Sequence, residues 1–160
     1  MQQKLIVFAF LFFLAGCLGT AKLSDFSQTA SGIDFDKYSK EYKDSSSPSW
    51  TFKTSNEYYF EKELVMEETE FVNVVSKSLI RTGHKIAYTN MTEKCVLGKR
   101  GLTANEWGSV TGVYYKYIAS RLQVYIKTKI TQDVTGGWKE NRAMEVGKFI
   151  EAAIGGAGSQ

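Results

Sequence analysis

The sequence predicts an α+β domain in two layers, an antiparallel sheet of about five strands with two helices on one face. Two observations predict it. Apolar residues recur at alternate positions, the spacing of a strand, in one segment near residue 60 and in four consecutive segments between 84 and 133. Two further segments, one after the first strand and one near the C-terminus, instead space their apolar residues as helices do. Strands joined by short links pair antiparallel, and two amphipathic helices need a sheet face on which to bury their stripes. The expected order is β-α-β-β-β-β-α.

The elements follow in sequence. Tyr58, Phe60, Leu64 and Met66 fall at even spacing and form the first strand. Glu67–Thr82 places Phe71, Val72, Val75 and Leu79 on one helical face, with an acidic first turn, Arg81 in the last turn and Gly83 just beyond. His84–Asn90 and Lys94–Arg100 read as two strands around a hairpin at Met91-Thr92-Glu93. Alternation puts Cys95 and Leu97 on one face of the second of these. Gly101–Glu106 is a loop or a single helical turn, and Trp107–Ile118 and Leu122–Asp133 are longer strands joined at Ala119–Arg121. Trp138–Ile154 is a helix with Ala143, Val146, Phe149, Ile150 and Ala153 inward, stopped by Gly155-Gly156. The domain therefore spans 50–155, with 156–160 a disordered tail.

The N-terminal third has a different character. After Lys4, Leu5–Leu14 is an uninterrupted apolar run of ten residues, followed by Ala15, Gly16 and Cys17. Ten helical residues rise about 15 Å, half of a hydrocarbon core of about 30 Å, so the run is a leader rather than a spanning helix. Leu14-Ala15-Gly16-Cys17 resembles the lipobox of bacterial lipoproteins, a resemblance confined to the first 17 residues. It implies removal of 1–16, a diacylglycerol thioether on Cys17 and an acyl group on its amine. It also implies residence in the bacterial cell envelope, with the outer membrane favoured because Leu18 and Gly19 follow the cysteine where a retained lipoprotein often has aspartate. Residues 17–49 are rich in Ser, Asp, Lys, Gly and Thr and end in a serine run and Pro48, the composition of a flexible tether. Within it Phe35, Tyr38 and Tyr42 recur at helical spacing behind Ser31 or Asp34 as caps, which allows transient helicity, docking on a partner or packing back on the domain.

Composition excludes several functions. A net charge of +3 is too small for a dedicated duplex-DNA binder, and export past the cytoplasm removes nucleic acid as a partner. Two cysteines, one of them the lipidation site, leave Cys95 without a disulfide partner in the chain, so it is expected as a buried, inert thiol. The sole histidine, His84, has no second histidine or cysteine cluster for zinc or nucleophilic chemistry and is expected as a partly exposed structural residue. Gly98–Gly101 and Asp133–Trp138 could cradle an anion, but both are better explained as connections. Glu63, Glu67, Glu68 and Glu70 are read as charge complementing a helix N-terminus rather than a hydrolytic pair. No catalytic residue, metal ligand or cofactor is expected.

The candidate is instead a surface. Leu122, Val124, Ile126 and Ile130 share one face of the last strand, and Gln123, Tyr125, Lys127, Lys129 and Thr131 share the other. Tyr114 and Lys116 share a face of the preceding strand. If these sets lie on a helix-free side, Tyr114, Lys116, Tyr125, Lys127 and Lys129 form a basic, aromatic field suited to a partner. The function expected is that of a non-enzymatic, lipid-anchored envelope protein whose domain binds an envelope protein, glycan or lipid headgroup. The alternative is a protective inhibitor or immunity lipoprotein acting against an effector or envelope hydrolase through the same surface. A hydrolase of envelope polymers ranks third.

The lipobox generates a direct test. Cells supplied with labelled fatty acid are expected to label the wild-type protein and not Cys17→Ala; equal label in both removes the assignment.

Overall fold

The computed structural model describes residues 21–44, 56–63, 66–101, 108–130 and 142–156. Residues 1–20, 45–55, 64–65, 102–107, 131–141 and 157–160 lie outside the described residues, and with them the expected leader, Cys17, the second anion-binding candidate and the expected tail. Among the described residues no helix is long and apolar enough to cross a membrane.

The elements in chain order are helix α1 (Phe35–Asp44), strand β1 (Asn56–Glu63), helix α2 (Glu68–Arg81), strands β2 (His84–Asn90), β3 (Cys95–Arg100), β4 (Ser109–Ile118) and β5 (Arg121–Ile130), and helix α3 (Arg142–Gly156). Short 3₁₀ turns at Leu23–Asp25 and Ala30–Gly32 precede α1. The strands form one antiparallel sheet in the order β1-β5-β4-β3-β2. This is the α+β class and the element order expected for residues beyond 50. β1 crosses to the far edge beside β5 because α2 intervenes between it and β2, while β2 to β5 run as a meander whose neighbours in sequence are neighbours in the sheet.

Both helices expected on one face are there. Phe71, Val75 and Leu79 of α2 and Ala143, Val146 and Ile150 of α3 join Phe60, Val96, Val113, Leu122, Val124 and Ile126 in one core. α2 is set by its ends: Glu67 takes the N-cap position, and Gly83 beyond Thr82 adopts φ +84° and donates its N–H to Ile80 O at 2.9 Å. That left-handed conformation suits glycine because no Cβ meets the preceding turn. α3 differs in detail from expectation. Ala153 is exposed and Phe149 half-buried under the Arg81 guanidinium, while Gly147 and Ile154 are buried in their place. The helix also continues through Gly155 to Gly156.

Gly147 is inward because of Tyr58. The Tyr58 ring lies against the Gly147 backbone, and its hydroxyl donates to Glu151 Oε2 at 2.6 Å. Positions 147 and 151 are one turn apart, about 5–6 Å along a face, so the ring lies lengthwise under a single turn of α3. A Cβ on Gly147 would enter the Tyr58 ring.

Two local features shape the sheet. β2 carries a bulge between Ile86 and Tyr88, so residues of equal parity point to opposite faces: Ile86 packs with the helices and Tyr88 against the other side. A one-residue register change has this effect because the side-chain period is two. β4 and β5 are joined by Ala119-Ser120 alone, with Ile118 opposite Arg121 and Ala119 at φ +52°. A two-residue hairpin needs positive φ to match strand twist, and alanine adopts it at some steric cost.

The face opposite α2 and α3 is not open. Residues 21–44, expected within the flexible tether of 17–49, are packed across it, so the domain begins at least as early as Ala21 rather than at 50. Ala21, Phe26, Ala30 and Phe35 are buried against Tyr59, Cys95, Leu97, Val110, Tyr114 and Tyr125. Of the alternatives open for Phe35-Tyr38-Tyr42, α1 takes the one in which the helix packs back, with Asp34 as its cap accepting the Lys37 N–H at 3.0 Å. Polar composition concealed this because the segment needs only a few apolar side chains to cover a sheet face already rich in them.

Gly147→Ala is expected to destabilise the protein by about 1–3 kcal/mol through overpacking against Tyr58. Ala119→Gly is expected to stabilise it by about 0.5–1 kcal/mol by relieving the positive φ. Chemical denaturation of the two variants beside the wild type measures both.

Candidate binding site

The expected surface residues lie on one sheet face, as alternation implied. Tyr114 pairs in register with Tyr125, Lys116 with Gln123, and Gly112 with Lys127. Two of them are not exposed, because residues 21–44 cover them: Tyr114 is 2 % and Tyr125 3 % accessible. Lys116, Lys127 and Lys129 reach solvent.

Each tyrosine holds a part of the covering segment. The Tyr114 hydroxyl donates to Ser27 O at 2.8 Å, beside a longer contact from Cys95 Sγ to the same oxygen at 3.7 Å. Tyr125 stacks on Tyr38 of α1 with ring centroids 4.4 Å apart, and Tyr38 also stacks on Tyr59 at 5.9 Å. Tyr42, one turn on, meets Tyr59 edge-on at 5.7 Å. The Ala30 N–H donates to Glu93 O at 2.8 Å, fixing the segment to the β2–β3 hairpin. Lys129 Nζ sits 2.8 Å from Asp25 Oδ2, and that hydrogen bond, with the Lys22 N–H on the same oxygen, holds the Asp25 carboxyl below its usual value.

The covering is incomplete. A cavity of about 400 Å³ remains between the N-terminal segment and the sheet. Its sheet wall is Glu57, Tyr114, Tyr125 and Lys127; its other wall runs from Asp25 and Phe26 through Gly32 to Asp34, Lys37 and Tyr38. Thus Tyr114, Tyr125 and Lys127 come together in one pocket, Lys129 reaches it through Asp25, and Lys116 lies outside its lining. The sequence could not supply Asp25, Asp34, Lys37 and Tyr38 as site residues while their segment was read as tether.

The chemistry of the pocket is that of balanced, engaged groups. Burial raises the Tyr125 phenol far above its ordinary value, and its hydrogen-bonding neighbours Tyr38 and Glu57 add to the shift, so it stays protonated. Burial likewise raises Tyr38. Lys127 Nζ lies 3.5 Å from Glu57 Oε1, and Lys37 Nζ stands 5.8 Å from the Tyr38 ring centre. Beside the pocket, burial acts to raise Glu61, but hydrogen bonds from Ser39, Tyr59 and Gln123 outweigh it and hold the carboxyl low.

The other sequence candidates have structural roles. His84 is 4 % accessible rather than partly exposed, on the helix-covered face. Its Nδ1 is 2.9 Å from Thr82 Oγ1 and its Nε2 2.9 Å from Thr111 Oγ1, which in turn is 2.7 Å from Thr128 Oγ1. The Thr82 hydroxyl is 2.9 Å from Leu79 O, so donation there leaves its oxygen to accept from Nδ1–H and the Thr111 hydroxyl to donate to Nε2. Cys95 is fully buried and burial pushes its thiol up to about 12, the expected inert state. Glu68 accepts from Lys94 Nζ at 2.6 Å and from the Tyr115 hydroxyl at 2.7 Å, joining α2 to the sheet. Gly98–Arg100 lie within β3. Among the described residues no group of three or more His, Cys, Asp and Glu side chains is arranged to hold a metal ion.

Because the tyrosines are buried and the lysines are not, their substitutions diverge. Tyr125→Ala is expected to cost about 3–5 kcal/mol of stability, in the range of aromatic truncation in cores, and Lys127→Ala about 0.5 kcal/mol or less. A chain starting at Ser49 exposes Tyr59, Leu97, Val110 and Tyr125 and is expected to bind a hydrophobic dye and lose cooperative melting. Equal melting of that chain and the full chain would mean that residues 21–44 contribute nothing to the fold.

No family model matches the chain, and no curated protein matches it. Among solved structures, a crystal structure of a DUF4468 family protein from Bacteroides ovatus ATCC 8483 is similar with a TM-score of 0.29 at 10 % identity, over 61 % of this chain and 82 % of that one.

Proposed function

We propose that the protein is a non-enzymatic, lipid-anchored protein of the bacterial cell envelope, and that it binds its partner in the pocket between residues 21–44 and the sheet. The observation that carries the reading is the convergence of Tyr114, Tyr125 and Lys127 with Asp25, Asp34, Lys37 and Tyr38 around one cavity. Concave sites lined by aromatic side chains and a few placed polar groups are the usual form of small-ligand sites. A binding role fits the pocket's carboxylates better than catalysis does. Asp25 is held by Lys129, Asp34 caps α1 and Glu57 faces Lys127, so each already serves the structure.

The lipobox supplies the location. Three residues, 18–20, separate Cys17 from the buried Ala21. At about 3.4 Å per residue the path from Cys17 to Ala21 spans at most about 14 Å. An acylated Cys17 therefore keeps the domain close to the lipid surface, where the expected tether would have allowed a reach on the order of 30 Å.

The test is crosslinking in the intact envelope with wild type and Gly32→Trp. Gly32 is an exposed residue of the pocket lining, and a Cβ there has no atom within 4 Å, so an indole is attached beside the pocket without a clash at its first atom. Loss of a specific crosslinked species at unchanged melting temperature is the expected result. Unchanged crosslinking returns the pocket to a packing gap, and capture of a hydrolase or toxin through it favours the inhibitor alternative.

A further inference from the structure

We propose that the pocket takes a neutral, hydroxyl-rich ligand of one or two sugar rings, a short segment of envelope glycan. The inference rests on the pocket being the binding site and adds the chemistry of what it accepts.

Size sets the first limit. The cavity of about 400 Å³ falls in the lower part of the range of about 300–1,000 Å³ for small-ligand sites, which suits a small molecule or the end of a chain.

Charge sets the second. Asp25, Asp34 and Glu57 face Lys37 and Lys127, with Lys129 bound to Asp25 behind them, three carboxylates against three ammonium groups. An anion would normally settle on the free N–H groups at the start of a helix. At α1 the Asp34 carboxylate is already bonded to the Lys37 N–H, so an incoming phosphate meets a negative group there. An organic cation meets the lysines. A ligand without net charge that both donates and accepts hydrogen bonds is opposed by neither set.

The walls set the third. Phe26, Tyr114 and Tyr125 are buried and leave little of their surface to a ligand, so half-buried Tyr38 is the aromatic side chain of the lining that offers apolar surface beside these polar groups. A pyranose has the matching amphipathic form, with hydroxyls around its rim and C–H groups on its faces, whose partial positive charge suits the negative face of an aromatic ring. The stack of Tyr38 on Tyr125 and the Tyr114 bond to Ser27 O hold the walls before any ligand arrives, which limits the entropy lost on binding.

Saturation-transfer NMR and titration on the full chain in detergent micelles, with maltose, cellobiose and N,N′-diacetylchitobiose as probes, test the proposal. Inorganic phosphate and glucosamine serve as charged comparators. At least one disaccharide is expected to bind with a Kd of about 1 mM or tighter, and Gly32→Trp to weaken it by about tenfold or more at unchanged melting temperature. Should Gly32→Trp melt lower, Lys37→Ala, on the exposed side of α1, replaces it with an expected loss of about threefold. Absence of binding by all three disaccharides to the folded wild type overturns the proposal, as does equal binding to Gly32→Trp or preferential binding of phosphate or glucosamine. The envelope crosslinking separates this failure from that of the pocket itself. A crosslink lost in Gly32→Trp without sugar binding leaves a pocket for another ligand class, and a crosslink retained removes both readings.

Discussion

A sheet that is apolar on both faces cannot leave one of them in water, and the arrangement of this protein follows from that constraint. On the helix-covered side the strands bury Phe60, Val96, Val113, Val124 and Ile126. On the other they bury Tyr59, Cys95, Leu97, Val110, Tyr114 and Tyr125, several with no accessible surface at all. Each large side chain fully removed from water contributes about 1.5–3 kcal/mol, so leaving the second set exposed would forfeit a sum comparable to the whole stability of a small domain. Residues 21–44 resolve this by supplying four buried apolar side chains and a helix to the second face. The N-terminal segment is therefore a structural layer, and the pocket exists because that layer does not meet the sheet everywhere.

Much of the domain was legible in the sequence because local spacing decided it. α2, the four-strand meander and the opposite faces taken on β5 by Leu122, Val124 and Ile126 and by Tyr125, Lys127 and Lys129 all follow from periodicity. The second buried face was written in the same residues. Tyr58-Tyr59-Phe60, Cys95-Val96-Leu97 and Val113-Tyr114-Tyr115 are unbroken apolar or aromatic runs, and such runs mark strands covered on both sides rather than one. Weighing Tyr114 and Tyr125 as a polar set, because each carries a hydroxyl, hid that signal. The ring is the larger part of a tyrosine, and here the hydroxyls serve to hold a neighbour. The N-terminal segment conceals its role for the complementary reason, since average polarity says little about a segment that buries Ala21, Phe26, Ala30 and Phe35 and packs Leu23, Ile33, Tyr38 and Tyr42 beside them.

What periodicity could not supply were partnerships across distant strands. His84 finds Thr111 and Thr128 only because β2, β3, β4 and β5 lie side by side in register, and nothing near it in sequence announces a buried chain of hydroxyls. Gly147 is inward only because Tyr58 arrives from β1 at the opposite end of the chain. The pocket is of the same kind. Its carboxylates come from residues 25, 34 and 57 and its sheet lysine from 127, so its charge balance is a property of the assembled layers.

The linkage between the covering layer and the sheet has a consequence for how separate copies behave. Asp44 and Asn56 are joined by residues 45–55, so the sheet and the segment that covers it are parts of one chain held within a short reach of each other. Exchange of the segment with that of a second molecule would keep every contact described above and add none, so it has no enthalpic preference of its own. Exchange turns a contact within one chain into a contact between two, so dilution favours the chain that covers its own sheet.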